Sequence, residues 1–445
     1  MSTSESTARS SVERLDWVRD AHQRSLELLA DLSDTQLIGP PLEIVNPLLW
    51  EIGHVAWFYE RWILRHTLGK RPVRDDADDL WDSIEISHDT RWDLVLPPRE
   101  KTLAYVNEVY ERVLDGLASR ASDARLAEFV LLALFHEDMH TEAFTYTRQT
   151  LSFPAPEIGL DGYHAPAAKV HAAERAEGDA RIPGGAFELG ARRGGSFVLD
   201  NERWAHSVPI EPFAIARVAV TQGEFARFVE DDGYKRRELW SDVGWSWGQR
   251  EDAEAPVYWK RDERGRWLSR RYEVWLPLEP DLPMLHVSWF EAEAYCRWAG
   301  RRLPTEAEWE LAAAGEPADD GRSFTANKRR FPWGDQPPGP EHAHLDWRSG
   351  WTGDVHAYPA GDSAFGCRQM IGNVWEWTAS DFAPYPGFEP GPYKEYSEPW
   401  FHTRKVLRGG CWVTRGRMLR NTWRNYYEPH RRDVWAGFRT CAPRA

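Results

Sequence analysis

Two histidines stand four residues apart in Phe135-His136-Glu137-Asp138-Met139-His140-Thr141-Glu142, a stretch rich in helix formers. On an α-helix, positions i and i+4 share one face, so both imidazoles can reach one metal ion. A third histidine, His54, lies in a second helical stretch, Trp50-Glu51-Ile52-Gly53-His54-Val55-Ala56-Trp57-Phe58-Tyr59. If these helices pack side by side, three neutral imidazoles cap one face of a metal and leave the other open to substrate and oxygen. A His-x-x-x-His pair alone is more often a pair of core histidines bonded to backbone carbonyls. His54 moves the reading towards metal, because the cores of helix bundles are common metal sites. Glu142 lies two residues past His140 and points roughly 160° away around the helix. Glu137 and Asp138 are also off the shared face, so the set reads as three histidines without a carboxylate. Neutral imidazoles suit Zn, Fe, Cu and Ni alike. Zinc would imply hydrolysis through a bound water, and iron(II) with open positions would imply oxygen chemistry.

These histidines need a scaffold, and the first third of the chain supplies one. Apolar residues recur at helical spacing over 12–32, 46–68, 100–117 and 123–151, and Pro47 stands near the second start, where proline is tolerated. The pattern predicts a four-helix bundle over 10–152. The connection between its second and third helices is too long for a simple turn and is expected to be functional. Within it, the acidic run 75–79 is expected to be a solvated loop. Residues 153–181, rich in Pro, Gly and Ala, read as a linker. From 182 to 445 short β-like runs, turns and glycines dominate, and nineteen of the 25 tryptophans stand at or after Trp204, so the two halves are different kinds of domain. Two helices stand out there, 288–300 ending at Gly300, and 305–314 opened by a Thr305/Glu308 capping box. The rest reads as loop-rich and held by aromatic packing.

Composition narrows the function further. A net charge of −15 argues against nucleic acid or an anionic membrane as partner. No apolar run approaches the roughly 20 residues that span a bilayer. The four scattered cysteines, Cys296, Cys367, Cys411 and Cys441, read as reduced thiols of a cytoplasmic protein.

Several strings in the second half resemble the formylglycine-generating-enzyme fold, a variant of the C-type lectin fold. They are Ile182-Pro183-Gly184-Gly185-Ala186-Phe187, Val220-Thr221-Gln222-Gly223-Glu224-Phe225, the run from Arg302 to Glu310, Gly372-Asn373-Val374-Trp375-Glu376-Trp377-Thr378, Leu407-Arg408-Gly409-Gly410 and Ala436-Gly437-Phe438-Arg439. The first half, with His54 and His136-x-x-x-His140, resembles the DinB-like bundle. The expected fold class is therefore α+β, a DinB-like four-helix bundle followed by a formylglycine-generating-enzyme-like domain. The combination is similar to the EgtB-like non-heme iron enzymes, in which Fe(II) and O2 join a chalcogen to the imidazole carbon of hercynine. A true formylglycine-generating enzyme needs a reactive cysteine pair near its C-terminus, and the stretch 420–427 has none.

The resemblance implies that His54, His136 and His140 are the iron ligands. It implies that Tyr385, in Ala383-Pro384-Tyr385-Pro386, is a proton or electron donor near iron; the alternative is a packed turn aromatic. Asn425 and Tyr426 match a pair lining the hercynine pocket, where an aromatic face would attract a quaternary ammonium. Met139 stands where the mycobacterial type has Gln, and Tyr427 where it has Asp to hold the amine of γ-glutamylcysteine. That type's arginine-containing loop is replaced by 82–92. A thiol dipeptide wants arginine clamps and an acid; a sugar wants neutral donors, carboxylates and an aromatic platform. Tyr427, Glu428, Trp92 and His88 favour the sugar, hence a selenosugar donor as in the selenoneine synthase branch, SenA. Arg91 could instead bind a carboxylate, favouring cysteine or γ-glutamylcysteine. Other expectations are a zinc-dependent thiol transferase or hydrolase, and a lectin-type binding module. The last leaves the three histidines unexplained.

Overall fold

The computed structural model describes residues 3–159, 175–194 and 197–444, with side chains from Val12 onward. The chain divides into two units, Met1–Gly159 and Leu160–Ala445.

In the first unit the helices are α1 (Thr3–Glu27), α2 (Asp34–Ile38), α3 (Leu48–Tyr59), α4 (Ala77–Trp81), α5 (Arg99–Ser119) and α6 (Ala124–Thr150). Helices α1, α3, α5 and α6 form the bundle: α3 packs on α5 and α6, and α1 packs on the same two from the other side. Helix α6 is capped by Asp123, whose side chain accepts the Leu126 N–H at 3.1 Å. It is buried along nearly its whole length, as a helix apolar on most faces must be. Helix α5 is amphipathic and buries Thr102, Tyr105, Val106, Val109, Tyr110, Val113 and Leu117 at helical spacing. The sequence predicted one helix over 46–68. The structure instead changes winding after Tyr59, and Glu60–Thr67 is a π-helix whose Leu68 N–H reaches the Ile63 carbonyl at 2.9 Å. Glu60 is buried there and accepts the Tyr105 hydroxyl at 2.8 Å.

The acidic run 75–79 is a solvated turn only in part: Asp75 and Asp76 are exposed in a turn and Asp79 is exposed, but 77–79 begin α4. Asp78, in the first turn of α4, accepts the Trp57 indole N–H at 2.7 Å and both Arg65 nitrogens at 2.6 and 2.8 Å. The Arg65 pair holds its pKa down at about 2. These bonds fasten α4 to the π-helical end of α3, a long-range fit that composition could not reveal.

In the second unit, the helices are α7 (Gln222–Glu230), α8 (Asp242–Arg250), α9 (Trp289–Trp298) and α10 (Glu306–Ala314), with five small sheets among the described residues. Thr221, Ser288 and Thr305 open α7, α9 and α10 with capping boxes, and Gly300 at φ 62° lets the chain leave α9 in the left-handed region. The four-stranded sheet runs in the order Asn425–Tyr427, Lys405–Arg408, Trp375–Asp381, Ala436–Gly437. Strand Asp179–Ile182 pairs antiparallel with Phe213–Ala216, so Asp179 and its neighbours belong to this unit rather than to the expected linker. Residues 160–174 of that linker lie outside the described residues.

Seven tryptophans, Trp309, Trp347, Trp375, Trp377, Trp412, Trp423 and Trp435, are almost wholly buried in this unit, as expected of a fold held by aromatic packing. A buried charge network accompanies them. Glu376 accepts the Trp309 indole N–H at 2.7 Å and two Arg439 nitrogens at 2.6 and 2.7 Å. Glu306 accepts Arg408 at 2.9 Å and Arg424 at 2.7 Å, and Arg408 also bonds Glu310. Separate sequence strings, 302–310, 375–377, 407–410 and 436–439, therefore meet in the core, each of these charges with an opposite partner. Such charges are tolerable in a core only when all are paired.

Candidate metal centre

Helices α3 and α6 bring His54, His136 and His140 together inside the bundle. His54 is 2% exposed and His136 4%. Their Nε2 atoms converge: His54 to His136 is 3.3 Å, and His136 to His140 is 3.2 Å. His54 lies between Trp50 (centroids 4.9 Å, 7°) and Trp57 (5.6 Å, 24°), and His136 stacks on Phe58 (3.8 Å, 10°). The ring planes are thus set by aromatic neighbours on α3.

The outer nitrogens are held as well. His54 Nδ1 faces the Trp81 carbonyl at 2.8 Å, and His140 Nδ1 faces Glu51 Oε1 at 2.6 Å. A carbonyl or carboxylate there accepts, so both rings carry hydrogen at Nδ1, which makes Nε2 the nitrogen that each ring, when neutral, can offer a metal. Burial, and next the nearby His140, push the pKa of His54 well below its ordinary value. Burial, then His140 and His54, do the same for His136. A single proton on His136 Nε2 could serve only one of its two neighbours, leaving lone pairs in opposition. A shared cation removes the conflict, so this donor set fits a metal bound by three neutral imidazoles. It is the one group of three or more possible metal-ligating side chains among the described residues.

Gly53 makes this arrangement possible. A Cβ there would collide with the Trp81 indole. Only glycine lets α4 approach α3 closely enough for the Trp81 carbonyl to reach His54. Glu51 and Trp81 are not evident in the sequence, because both lie outside α6, which carries the His136/His140 pair. The available signal was Glu51-x-x-His54, since positions i and i+3 on α3 share a face.

Other expected site residues are distributed over both units. Met139 is half-buried on α6. The Arg91 guanidinium lies over the Trp50 ring at 4.0 Å and donates to Asn46 Oδ1 at 2.6 Å. Trp92 packs edge-on against His88 (5.4 Å), and His88 Nε2 bonds the Val45 carbonyl at 2.6 Å. In the second unit Asn425, Tyr426 and Tyr427 form one half-buried edge strand. Tyr426 stacks on Phe382 (4.0 Å, 17°) and donates to the Tyr396 carbonyl, while the Tyr427 ring lies against Arg431 at 5.3 Å. Tyr385 is in the core, 6% exposed, with its hydroxyl donating to Glu306 at 3.1 Å and Arg424 over its ring at 4.1 Å. The packed environment expected of a turn aromatic is thus present. Burial raises its pKa well above the ordinary value, against the opposing pull of Arg424.

Residues 18–144 match the DinB superfamily, and residues 165–443 match the sulfatase-modifying factor enzyme 1-like domain. The chain is 37% identical over 428 residues to the hercynine oxygenase of Mycolicibacterium smegmatis, covering 94% of this chain and 96% of that protein. It is 37% identical over 423 residues to the hercynine oxygenase of Mycobacterium tuberculosis, covering 94% and 96%. To the formylglycine-generating enzyme of Thermomonospora curvata it is 32% identical over 271 residues, 54% of this chain and 84% of that one. The four cysteines are buried free thiols, Cys367 and Cys441 pushed by burial to about 11 and about 12, so none is poised as a thiolate. With likeness to the hercynine oxygenases running through both units and likeness to the formylglycine-generating enzymes restricted to part of the chain, this protein belongs to the EgtB-like family, a DinB-like helical bundle joined to a sulfatase-modifying-factor-like domain.

Proposed function

We propose that the chain is an iron(II)- and O2-dependent oxidoreductase that forms a carbon–chalcogen bond at the imidazole ring of hercynine, with a selenosugar as the preferred donor. The observation that carries the reading is the convergence of three Nε2 atoms, with the outer nitrogens of two of the rings, His54 and His140, held by Trp81 and Glu51. Iron(II) bound there supplies the activation of O2. The chain's own groups bind, orient and protect. Trp50, Trp57 and Phe58 fix the imidazole planes and keep water from the ring faces. Asn425 and the face of Tyr426 are proposed to receive hercynine, the aromatic face attracting its trimethylammonium. Tyr385, kept as a phenol by burial, is proposed to hold the proton that the reaction moves.

The donor assignment rests on the pocket candidates. Met139 and Tyr427 offer no charge for a dipeptide amine, and Trp92 offers a platform for a sugar. One Arg91 nitrogen is already committed to Asn46. A sulfur donor is the second reading, favoured by the Arg91 cation seated on Trp50. The experiment is anaerobic Fe(II) reconstitution, O2 exposure with hercynine and, in turn, selenosugar, γ-glutamylcysteine and cysteine, then mass spectrometry. Product from the selenosugar alone is expected. Product only from a thiol would replace the donor assignment. No product, with zinc bound one per chain, would favour a zinc-dependent thiol transferase or hydrolase.

A further inference from the structure

The three histidines do not rest on equivalent supports. His54 Nδ1 leans on a neutral carbonyl, that of Trp81. His140 Nδ1 leans on a carboxylate, and that carboxylate is buried: Glu51 is 1% exposed. Among the described residues, Glu51 Oε2 makes no hydrogen bond, and no arginine or lysine forms an ion pair with Glu51; its ion-pair partner is His140. A buried carboxylate so placed is costly unless positive charge stands beside it. The His140 ring stands directly against it, and on the far side of that ring lie the converging Nε2 atoms where a cation would sit.

Resting on the reading of the histidines as metal ligands, we propose that Glu51 is the positioning residue of the centre. It locks His140 in the Nδ1–H tautomer, aims its Nε2 at the other two nitrogens, and makes this ring a stronger donor than carbonyl-supported His54. The same carboxylate is a liability to the metal-free protein and is relieved when a cation is bound. Metal affinity and metal-free stability are thus coupled in opposite senses through one side chain. A group that merely packed would lower stability when altered and leave affinity alone.

The test compares full-length wild type with Glu51→Gln, which keeps shape and removes charge, and Glu51→Asp, which keeps charge and shortens reach. Each is stripped of metal and titrated anaerobically with Fe(II), and separately with Co(II), whose ligand-field spectrum reports the donor set. Thermal unfolding of each metal-free protein is measured alongside. Glu51→Gln is expected to weaken Fe(II) binding about 10- to 100-fold, to shift the Co(II) spectrum, and to leave the metal-free melting temperature equal or higher. Glu51→Asp is expected to fall between the two in affinity. Wild-type affinity in Glu51→Gln, with wild type binding one ion per chain, would overturn the role of Glu51 and leave the metal reading intact. A Glu51→Gln protein that fails to fold without metal, or melts lower, would make Glu51 a structural residue and equally overturn the proposal. If wild type itself bound no ion, the three-histidine reading would fall first.

Discussion

At the residue scale, the centre depends on which nitrogen of each ring is free. His54→Ala removes one of three converging nitrogens while the other buried side chains of α3 stay in place. It is expected to abolish stoichiometric Fe(II) binding and turnover, with far-UV circular dichroism and cooperative unfolding preserved. Full activity in that variant would refute the ligand set. Tyr385→Phe separates chemistry from packing. The change removes one buried hydroxyl that donates to Glu306 and should cost about 1–2 kcal/mol of stability. If Tyr385 holds the moving proton, kcat falls at least tenfold while Fe(II) affinity is unchanged. An unaltered kcat would leave Tyr385 as a core aromatic of the second unit. The histidines were legible because they are rare, polar and helically spaced. Glu51 was not, because its partner lies 89 residues away on another helix.

At the element scale, the short helix α4 is the piece whose importance the chain conceals. It carries Asp78, which ties it to Trp57 and Arg65, and Trp81, whose carbonyl orients His54. Gly53→Ala would force Trp81 outward and with it that carbonyl. We expect a loss of about 1–3 kcal/mol in unfolding free energy, as for other overpacked core positions, together with weaker Fe(II) binding. Urea unfolding and metal titration of the variant check both. A normal affinity would show that the Trp81 carbonyl is dispensable. In the second unit, α10 carries Glu306 and Glu310 to Arg408. Arg408→Met would remove one cation shared by two buried carboxylates, but Glu306 keeps Arg424 and Glu310 keeps Lys328, so the loss is expected at about 1.5–3 kcal/mol, that of a charged hydrogen bond. The same midpoint measurement applies.

At the scale of the whole molecule, buried histidines of the second unit set an acid limit. Burial lowers His344 to about 4 and His286 to about 3. In the unfolded chain each titrates near 6.5. Above that value both states are neutral and the full stability is present. As pH falls below about 6.5 the unfolded chain takes up protons that the native state refuses, so stability is lost progressively towards pH 4. At pH 5 the loss is about 2 kcal/mol for each histidine. The urea midpoint should therefore fall between pH 7.5 and 5, and His344→Gln should lessen the fall. A midpoint insensitive to pH would mean these rings are not held neutral. All four thiols are likewise enclosed, and a thiol reagent should label none of them in the native state and four in denaturant.

The bundle helices, the Asp123 cap of α6, the Thr221 and Thr305 caps of the second unit and the spacing of the histidines follow local rules: periodicity of apolar residues, an Asp or Thr before the first turn, and histidines four apart. The second unit was recognisable from strings of residues, although the function of those strings was not. Glu306, Glu376, Arg408 and Arg439 lie far apart along the chain and become comprehensible only when the fold pairs their charges. The π-helical turn after Tyr59, the seat of α4 against Gly53, and the carboxylate behind His140 were likewise decided by tertiary packing. The physical reason is the same in each case. Helix periodicity and capping are written within a few residues, whereas burial of a charge or close approach of two backbones depends on partners that only the folded chain brings together.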